Sequence, residues 1–251
     1  CTAIVSGGAS GLGEAVVRYV TGKGGTAAIF DLDAVKGEEL SAELGDSVIF
    51  CKTDVTDEAS VQSAINETIS RFGSIHAAVN CAGIVAPCKV INKDGQPMPI
   101  EFFNQVIQIN LIGTMNVIRL AAVDMLKNTP DNDGERGVVV NVSSAAAFEG
   151  QTGQAAYSAS KAAIVGMTLP LAREFSDHGI RFATIAPGLF MTPMMADLPK
   201  KAQSALTQMM PFPKRLGRPE EFAMLAAQII ENPMINGETI RLDAALRMAS
   251  K

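Results

Sequence analysis

The chain has 251 residues, 47% of them hydrophobic, and a formal net charge of −5. That length and hydrophobic share suffice for one substantial buried core. No basic block stands out, which argues against nucleic-acid or anionic-membrane binding, and no apolar run approaches the roughly 20 residues of a membrane span. The four cysteines form no CxxC pair and only two histidines accompany them, so we predict no metal site and free thiols in a reducing compartment.

Short apolar segments alternate with helix-length amphipathic segments along the whole chain. Strands are predicted at 2–6, 26–31, 47–51, 77–80, 137–142, 181–185 and 239–242, and helices at 11–22, 34–44, 58–72 and 102–126. Such alternation is typical of βαβ units, and strands that are apolar throughout indicate a parallel sheet buried on both faces. We therefore predict one α/β domain over residues 1–251, a Rossmann-type doubly wound parallel sheet of about seven strands with helices on both faces.

Two long segments, 84–99 and 189–213, interrupt the alternation. Loops of that length in a compact domain are usually functional. The second contains Met191, Met194, Met195, Met209 and Met210, and methionine adapts to irregular apolar shapes. We predict a substrate lid over 189–213, with ordinary core packing as the alternative.

A glycine-rich turn follows the first predicted strand and opens the first predicted helix. Glycines there allow a tight turn and close approach of a pyrophosphate, and the helix N-terminus supplies free N–H groups and a positive dipole end. Any strand-to-helix turn can use glycine, but the flanking strand and helix are the context that a dinucleotide site requires. The predicted contacts are Ser6, Gly7, Ser10, Gly11, Leu12 and Gly13.

Acidic and amide residues follow the next three predicted strands. Asp31 ends the second strand, about 20 residues beyond the glycines, where a carboxylate bonds the adenosine ribose and repels the extra phosphate of NADP. The alternative is a surface aspartate that caps the next helix. Residues after the third and fourth strands lie at carboxyl ends, where doubly wound sheets bind ligands, although each also fits ordinary turn chemistry. These further predicted cofactor contacts are Asp54, Val55, Asn80, Ala82 and Gly83.

A tyrosine and a lysine four residues apart provide candidate acid/base chemistry. Tyr157 and Lys161 share one helix face, and a nearby ammonium, like the positive nicotinamide of NAD, lowers a phenol pKa from about 10. Such a phenol can exchange a proton with an alcohol. The spacing alone also describes two residues on a partly exposed helix. Ser144, with Ser143 as competitor, could hold the reacting oxygen, and Asn110 is a mediocre helix former that could equally face solvent.

In order and spacing, these motifs together resemble the short-chain dehydrogenase/reductase family over nearly the whole chain. The resemblance implies a catalytic tetrad of Asn110, Ser144, Tyr157 and Lys161. Asn110 would hold a water that joins Lys161 to a proton relay, and Tyr157 and Lys161 would also contact the nicotinamide side of the cofactor. It further implies cofactor contacts at Pro187, Gly188, Phe190 and Thr192, with Ser6 replacing the threonine that usually opens the glycine loop.

Several segments, including Phe148-Glu149-Gly150-Gln151 and Pro211-Phe212-Pro213, resemble the branch of that family that oxidises 3-hydroxyacyl-CoA thioesters and some hydroxysteroids. This resemblance implies NAD-dependent oxidation of an L-3-hydroxyacyl-CoA and a homotetramer, in the cytoplasm of a bacterium or the mitochondrial matrix of a eukaryote. It implies substrate contacts at Ser144, Gln154, Tyr157, Leu189 and Met194. A CoA substrate needs cations for its phosphates, and the candidates are Lys89, Lys93, Lys200, Lys201, Lys214 and Arg215, unless these are scattered surface charges.

Three rival functions stay open on the sequence. One is a hydroxysteroid or small-alcohol dehydrogenase built on the same motifs. Another is a 3-oxoacyl-carrier reductase that uses NADPH, against which Asp31 argues. A third, from another class, is a non-catalytic NAD-binding scaffold, which fold similarity alone would permit. The intact set of Asn110, Ser144, Tyr157 and Lys161 argues against a scaffold.

Overall fold

The computed structural model describes residues 1–196 and 199–250. It contains one parallel sheet in the order β3-β2-β1-β4-β5-β6-β7. The strands are β1 (Thr2–Ser6), β2 (Thr26–Asp31), β3 (Val48–Lys52), β4 (Ala77–Asn80), β5 (Gly137–Val142), β6 (Ile180–Pro187) and β7 (Thr239–Leu242). The strand order reverses between β1 and β4, and the carboxyl ends at such a reversal form the ligand crevice of a doubly wound sheet. The predicted fold class is confirmed.

Nine helices accompany the sheet within the described ranges. They are α1 (Gly11–Gly22), α2 (Ala34–Leu44), α3 (Glu58–Phe72), α4 (Ile100–Ile107), α5 (Thr114–Met125), α6 (Ala155–Glu174), α7 (Pro193–Ala196), α8 (Lys200–Gln208) and α9 (Pro219–Glu231). Side chains cap three of them: Asp33 accepts the backbone N–H of Lys36 at the start of α2, Asp57 accepts that of Ala59 at the start of α3, and Glu221 accepts that of Arg218 at the start of α9. Each cap satisfies an N–H group that the helix itself leaves unpaired.

Alternate residues of the central strands enter two separate cores. Val5 and Val79 join the cluster beneath α1 and α9, whereas Ile4 and Ala78 join the cluster beneath α3 and α5. Both faces of the sheet are therefore buried, which is why the interior positions of its central strands are mainly apolar. Phe222 of α9 is fully buried in the first cluster, and burial of such a side chain stabilises the fold by roughly 1.5–3 kcal/mol.

Three predicted boundaries differ from the structure. The strand predicted at 47–51 is Val48–Lys52, because Ser47 ends a 3₁₀ turn. The strand predicted at 181–185 is Ile180–Pro187, since it pairs with β5 at one end and with β7 at the other. The helix predicted at 102–126 begins at Ile100, and a π-helical turn, Gln108–Gly113, separates α4 from α5.

The stretch Ile100–Met125 also differs from the expectation that no segment has the length and hydropathy of a membrane span. It has 26 residues, and an 18-residue window within it has a mean hydropathy of 1.5, enough by length and composition to cross a bilayer. An averaged hydropathy tolerates the polar residues that interrupt an apolar run. However, 56% of that window is buried, and α5 packs against α3 and β4. The packing is that of a core helix.

Candidate active site

A cavity of about 930 Å³ lies at the carboxyl ends of the strands. The last residues of the strands and the turns that follow them form its floor, so the fold itself brings together residues far apart in sequence. Most of the predicted cofactor and substrate residues line it: Gly7, Ser10, Gly11, Leu12, Gly13, Asp31, Asp54, Val55, Ala82, Gly83, Ser144, Gln154, Tyr157, Lys161, Pro187, Gly188, Leu189, Phe190 and Thr192. Of the remaining predicted residues, Ser6, Asn80 and Asn110 are buried behind its wall, and the side chain of Met194 lies outside what the structure describes.

The glycine loop has no room for larger residues. Gly7 and Gly11 have φ values of 65° and 57°, in the left-handed region that favours glycine. A Cβ on Gly13 would lie 2.2 Å from the carbonyl oxygen of Gly7, and one on Gly7 would lie 2.8 Å from the nitrogen of Ala82. Close backbone approach therefore forms a cradle at the start of α1, where the helix dipole favours an anion such as a pyrophosphate.

Asp31 stands at the cavity wall and ties the glycine loop to the end of β2. Its Oδ2 accepts the N–H of Ala9 at 3.0 Å, and its Oδ1 accepts the N–H of Asp33 at 3.0 Å. Asp33, and not Asp31, caps α2. Asp31 is thus not the cap of α2, and it lines the cavity.

Ser6 and Asn80 were predicted to contact the cofactor, and the structure places them beneath the cavity floor. Each is 2% exposed. Asn80 accepts the Ser6 hydroxyl at 3.5 Å and donates to Oδ1 of Asn141 at 2.9 Å, while the N–H of Ala82 donates to Ser6 at 3.3 Å. These side chains point along the sheet because β1, β4 and β5 are neighbours there. They hold the turn that lines the cavity but do not reach it themselves.

Tyr157 and Lys161 occupy the first two turns of α6, beside the cavity. Lys161 Nζ lies 5.9 Å from the centre of the Tyr157 ring and donates to the carbonyl of Val142 at 2.8 Å. Burial lowers the pKa of Lys161 to about 8. Burial also raises the pKa of Tyr157, and a hydrogen bond from Ser144 opposes that rise. The expected lowering of the phenol pKa is therefore wrong for the chain by itself, because it counted the ammonium and omitted the cost of burying a phenolate.

The two neighbouring serines have different partners. Ser143 is 1% exposed and donates to the carbonyl of Lys161 at 2.8 Å, so it braces α6 against β5. Ser144 bonds the Tyr157 hydroxyl and accepts the N–H of Ala146 at 3.1 Å. Ser144 is thus the serine positioned beside the phenol.

Asn110 is fully buried and does not face solvent. Its Oδ1 accepts the N–H of Ile84 at 2.8 Å, and its Nδ2 donates to the Ile84 carbonyl at 3.0 Å and to Ser160 at 3.1 Å. Gly83 lies between Asn110 and Lys161, because a Cβ there would be 3.1 Å from Asn110 Oδ1 and 3.4 Å from Lys161 Nζ. Protein partners therefore bind both ends of the Asn110 amide.

The substrate side of the cavity includes residues that the sequence did not indicate. Gln151 and Met248 both line the cavity, and the Gln151 N–H donates to the predicted Gln154 at 3.0 Å. Gln151 had a local signal, since it lies three residues before Gln154 in the motif that carried the resemblance. Met248 had none. Cys81 also lines the cavity, and burial raises the pKa of its thiol to about 12, which makes it unreactive.

The six cations considered for CoA do not contribute to the cavity wall where the structure describes them. Lys89, Lys93, Lys200 and Lys214 are exposed, and the side chain of Lys201 lies outside the described part. Arg215 forms a bidentate pair with Glu221 at 2.8 and 2.5 Å. Within residues 1–196 and 199–250, no three His, Cys, Asp or Glu side chains are grouped to hold a metal ion.

Known proteins resemble the chain over its full length. The family model described as short chain dehydrogenase matches residues 1–203. The human protein named 3-hydroxyacyl-CoA dehydrogenase type-2 is 52% identical over 98% of this chain and 95% of its own length. The crystal structure of 3-hydroxyacyl-CoA dehydrogenase type-2 from Mycobacterium avium has a TM-score of 0.95 and 44% identity, with coverage of 100% of this chain and 97% of that one. The 3-ketoacyl-(acyl-carrier-protein) reductase from Brucella melitensis, complexed with NADH, has a TM-score of 0.85, 26% identity and 98% coverage of both chains.

Proposed function

Since the chain belongs to the short-chain dehydrogenase family and is an oxidoreductase, we propose that it oxidises an L-3-hydroxyacyl-CoA to the 3-ketoacyl-CoA with NAD. The observation that carries this proposal is the grouping of Ser144, Tyr157 and Lys161 in one cavity that also includes the glycine loop. The human relative, 52% identical and named for this activity, supports the choice of substrate.

The residues present fit a dinucleotide. Backbone cradles at Gly7 and Gly13 admit no Cβ, which suits a pyrophosphate, and the Asp31 carboxylate suits unphosphorylated ribose hydroxyls. Asp54 and Val55 would flank the adenine, and Lys161 would bond the nicotinamide ribose. When bound, NAD supplies a hydride acceptor and a positive ring. The remaining candidate contacts are Ser10, Gly11, Leu12, Ala82, Gly83, Pro187, Gly188, Phe190 and Thr192.

Tyr157 takes the proton of the substrate hydroxyl while Ser144 holds the same oxygen in place. Burial disfavours the phenolate, so the site needs positive charge beside it. Lys161, with a pKa of about 8, is mostly protonated at neutral pH and provides that charge. Because the Val142 carbonyl fixes the Lys161 amine, the charge stays near the phenol throughout the reaction. General acid–base catalysis by such a group contributes typically 10²–10⁴-fold.

The substrate side suits an apolar chain with a polar head. Leu189 and Gln154 line the cavity, together with Met195 and Leu206 of the 189–213 segment. We propose this segment as the substrate lid. Lys89 and Lys93, exposed on the 84–99 segment, would meet the CoA phosphates.

The quaternary structure and location follow from the same proposal. A homotetramer is supported by exposed apolar residues Met115 and Val123 on α5, which are 37% and 55% exposed. The location is the cytoplasm of a bacterium or the mitochondrial matrix of a eukaryote, and four free thiols suit such reducing compartments.

The test is a steady-state comparison of 3-hydroxyacyl-CoAs, hydroxysteroids and simple secondary alcohols, each with NAD and followed by NADH formation. A 3-hydroxyacyl-CoA should give the highest kcat/KM. A higher value for a steroid or a simple alcohol would replace the CoA assignment with that rival. Absence of turnover for every substrate, with NAD still bound, would favour the scaffold.

A further inference from the structure

The segment that follows β7, residues 243–250, folds back against the loop 149–154. The Thr152 N–H and hydroxyl both donate to the Ser250 carbonyl, at 3.1 and 2.9 Å, and Gln151 Nε2 donates to the Ala249 carbonyl at 3.2 Å. These contacts join parts of the chain 98 residues apart. The loop carries Gln151 and Gln154 into the cavity wall, so the segment 243–250 and the substrate side of the cavity are mechanically linked.

A cluster of two cations and two carboxylates fixes this arrangement. Arg241 forms a bidentate pair with Glu149 at 2.7 and 2.8 Å and bonds Asp243 at 2.6 Å. Arg247 contacts the same two carboxylates, Asp243 at 3.2 Å and Glu149 at 3.4 Å. Arg241 also lies over the Phe148 ring, 4.9 Å from its centre. A shared bidentate pair is far more directional than a single surface ion pair.

Two apolar side chains of the segment 243–250 have different environments. Leu246 is fully buried and anchors the segment. Met248, two residues later, is only partly buried and lines the cavity. A flexible, polarisable side chain in that position adapts to an apolar ligand of variable shape.

We propose that Met248 is a specificity-determining residue that contacts the substrate, and that Glu149 and Arg241 are positioning residues that set the height of the 149–154 loop at the cavity rim. The chemical class of the ligand, an extended apolar acyl chain, rests on the proposed function. The contact of Met248 with whichever substrate fills the cavity does not.

The first test compares Met248→Ala with Met234→Ala, in which the replaced methionine is 88% exposed on the loop after α9. KM and kcat are measured with NADH for acetoacetyl-CoA and for a long-chain 3-ketoacyl-CoA. Loss of the Met248 contact should raise KM for the long chain by about tenfold, with a change of about twofold or less for the short one and for NADH. Met234→Ala should change neither. An unaltered long-to-short KM ratio in Met248→Ala would overturn the assignment.

The second test compares Glu149→Gln with the conservative Glu149→Asp. Glu149→Gln should raise KM for the long-chain substrate severalfold while kcat is retained. Glu149→Asp should bring KM most of the way back to the unmutated value, because only a carboxylate can form ion pairs with Arg241 and Arg247. Hydrogen exchange at the Thr152 amide should be faster in Glu149→Gln. If kcat, the KM for NADH and the thermal midpoint all change together, the cluster is merely structural and the positioning role is wrong.

The result of the Met248 test can be distinguished from the result of the test of the proposed CoA substrate. If the unmutated enzyme turns over a steroid or a simple ketone but no acyl-CoA, the CoA assignment fails. The Met248 effect is then read from a large and a small ketone of the accepted class. If Met248→Ala still changes the ratio of KM for the large ketone to KM for the small one, Met248 contacts the substrate. If the ratio stays constant, Met248 is not a substrate contact.

Discussion

The two sides of the cavity are built from different materials. The cofactor side consists mainly of backbone: Gly7 and Gly13 after β1 admit no Cβ, Gly7 packs against the turn after β4, and Asp31 ties the glycine loop to the end of β2. The substrate side consists of side chains from four segments distant in sequence, and several are half-exposed, such as Val85 at 40%. A ligand that never changes is thus held by main-chain geometry, whereas the variable ligand meets side chains that substitution can alter without disturbing the sheet.

The two sides meet at two points. A Cβ on Gly11 would lie 3.5 Å from Thr192 Cγ2, so the start of the 189–213 segment crosses the glycine loop. Tyr157 and Lys161 of α6 stand at the second, together with Ser144, which lies two residues beyond the end of β5. If this division holds, substitutions where the two sides meet should change kcat. Substitutions on the cofactor side should change the preference between NAD and NADP, and those on the substrate side should change only KM for the substrate.

The largest effect is expected at Tyr157, which belongs to neither side. Tyr157→Phe keeps the buried ring and loses only the hydroxyl that bonds Ser144, so kcat should fall by a factor on the order of 10² or more. NADH should still bind, as measured by fluorescence titration. Tyr19→Phe, a change to the chain's other tyrosine, is the matched control and should leave kcat unaltered. Near-normal turnover of Tyr157→Phe would exclude this tyrosine as the acid/base group.

The second-largest effect is expected at Lys161, and it should appear in the stability of the protein as well as in its activity. Burial lowers its pKa from 10.5 to about 8. Between those pH values the unfolded chain binds a proton there that the folded chain does not, so the stability contribution of Lys161 rises with pH across that window. Below about pH 8 both states are protonated and the full cost of burying the ammonium is present.

Urea unfolding of the unmutated chain and of Lys161→Met measures this cost. The unmutated chain should gain up to about 3 kcal/mol relative to the variant between about pH 7 and pH 10. The variant should also lose activity and bind NAD more weakly at neutral pH. A free-energy difference that does not vary with pH would show that Lys161 is not buried as a charge.

The sequence predicted the cofactor side well because its signals are local. The glycine loop follows β1, Asp31 ends β2 and a further turn follows β4. These strands are mainly apolar, and a parallel sheet places all such ends on one edge. Two strand boundaries were wrong: Ser47 belongs to a 3₁₀ turn before β3, and β6 continues to Pro187, which pairs with Leu242.

The sequence could not predict the direction in which a side chain points or the contacts between segments distant in the chain. Ser6 and Asn80 end strands as Asp31 does, but neighbouring strands draw their side chains beneath the floor. Met248 reaches the cavity only through the packing of residues 243–250 on the 149–154 loop. The phenol pKa was expected to fall because a nearby charge is visible in sequence, whereas burial of Tyr157 is visible only in the fold.

The choice between NAD and NADP tests the cofactor side of the cavity alone. We expect a preference for NAD over NADP of at least about tenfold, or roughly 1.4 kcal/mol. Asp31→Ala should shrink that ratio, mainly through better use of NADP. Because Asp31 also accepts the Ala9 N–H, Asp31→Asn is the sharper change, since it keeps an acceptor and removes the charge. Asp33→Ala, which removes the α2 cap and the ion pair with Lys36, should leave the ratio intact. Equal use of both cofactors by the unmutated enzyme would refute the ribose assignment.

The smallest effect is expected at the outer rim of the substrate side. Lys89 and Lys93 are exposed, so their attraction for CoA phosphates is screened over a Debye length of about 10 Å at 0.1 M salt. KM for acetoacetyl-CoA should therefore rise with salt, while KM for a CoA-free ketone should not. Reversing both charges, Lys89→Glu with Lys93→Glu, should raise KM for the CoA substrate by roughly threefold to tenfold at low salt and remove most of the salt dependence.

Lys23→Glu is the matched control for this pair. Lys23 follows the end of α1, and since α1 begins at the carboxyl edge of the sheet, it ends at the opposite edge, away from the cavity. Reversal there changes the net charge in the same direction, so a similar rise in KM would mean that long-range charge, and not a rim, attracts the substrate. If both ketones respond alike to salt, the substrate side holds no phosphate contact, and the steroid or simple-alcohol assignment takes the place of CoA. A salt slope that is lost only in the Lys89 and Lys93 variant would place the phosphates on the 84–99 segment, at the edge of the side built from side chains.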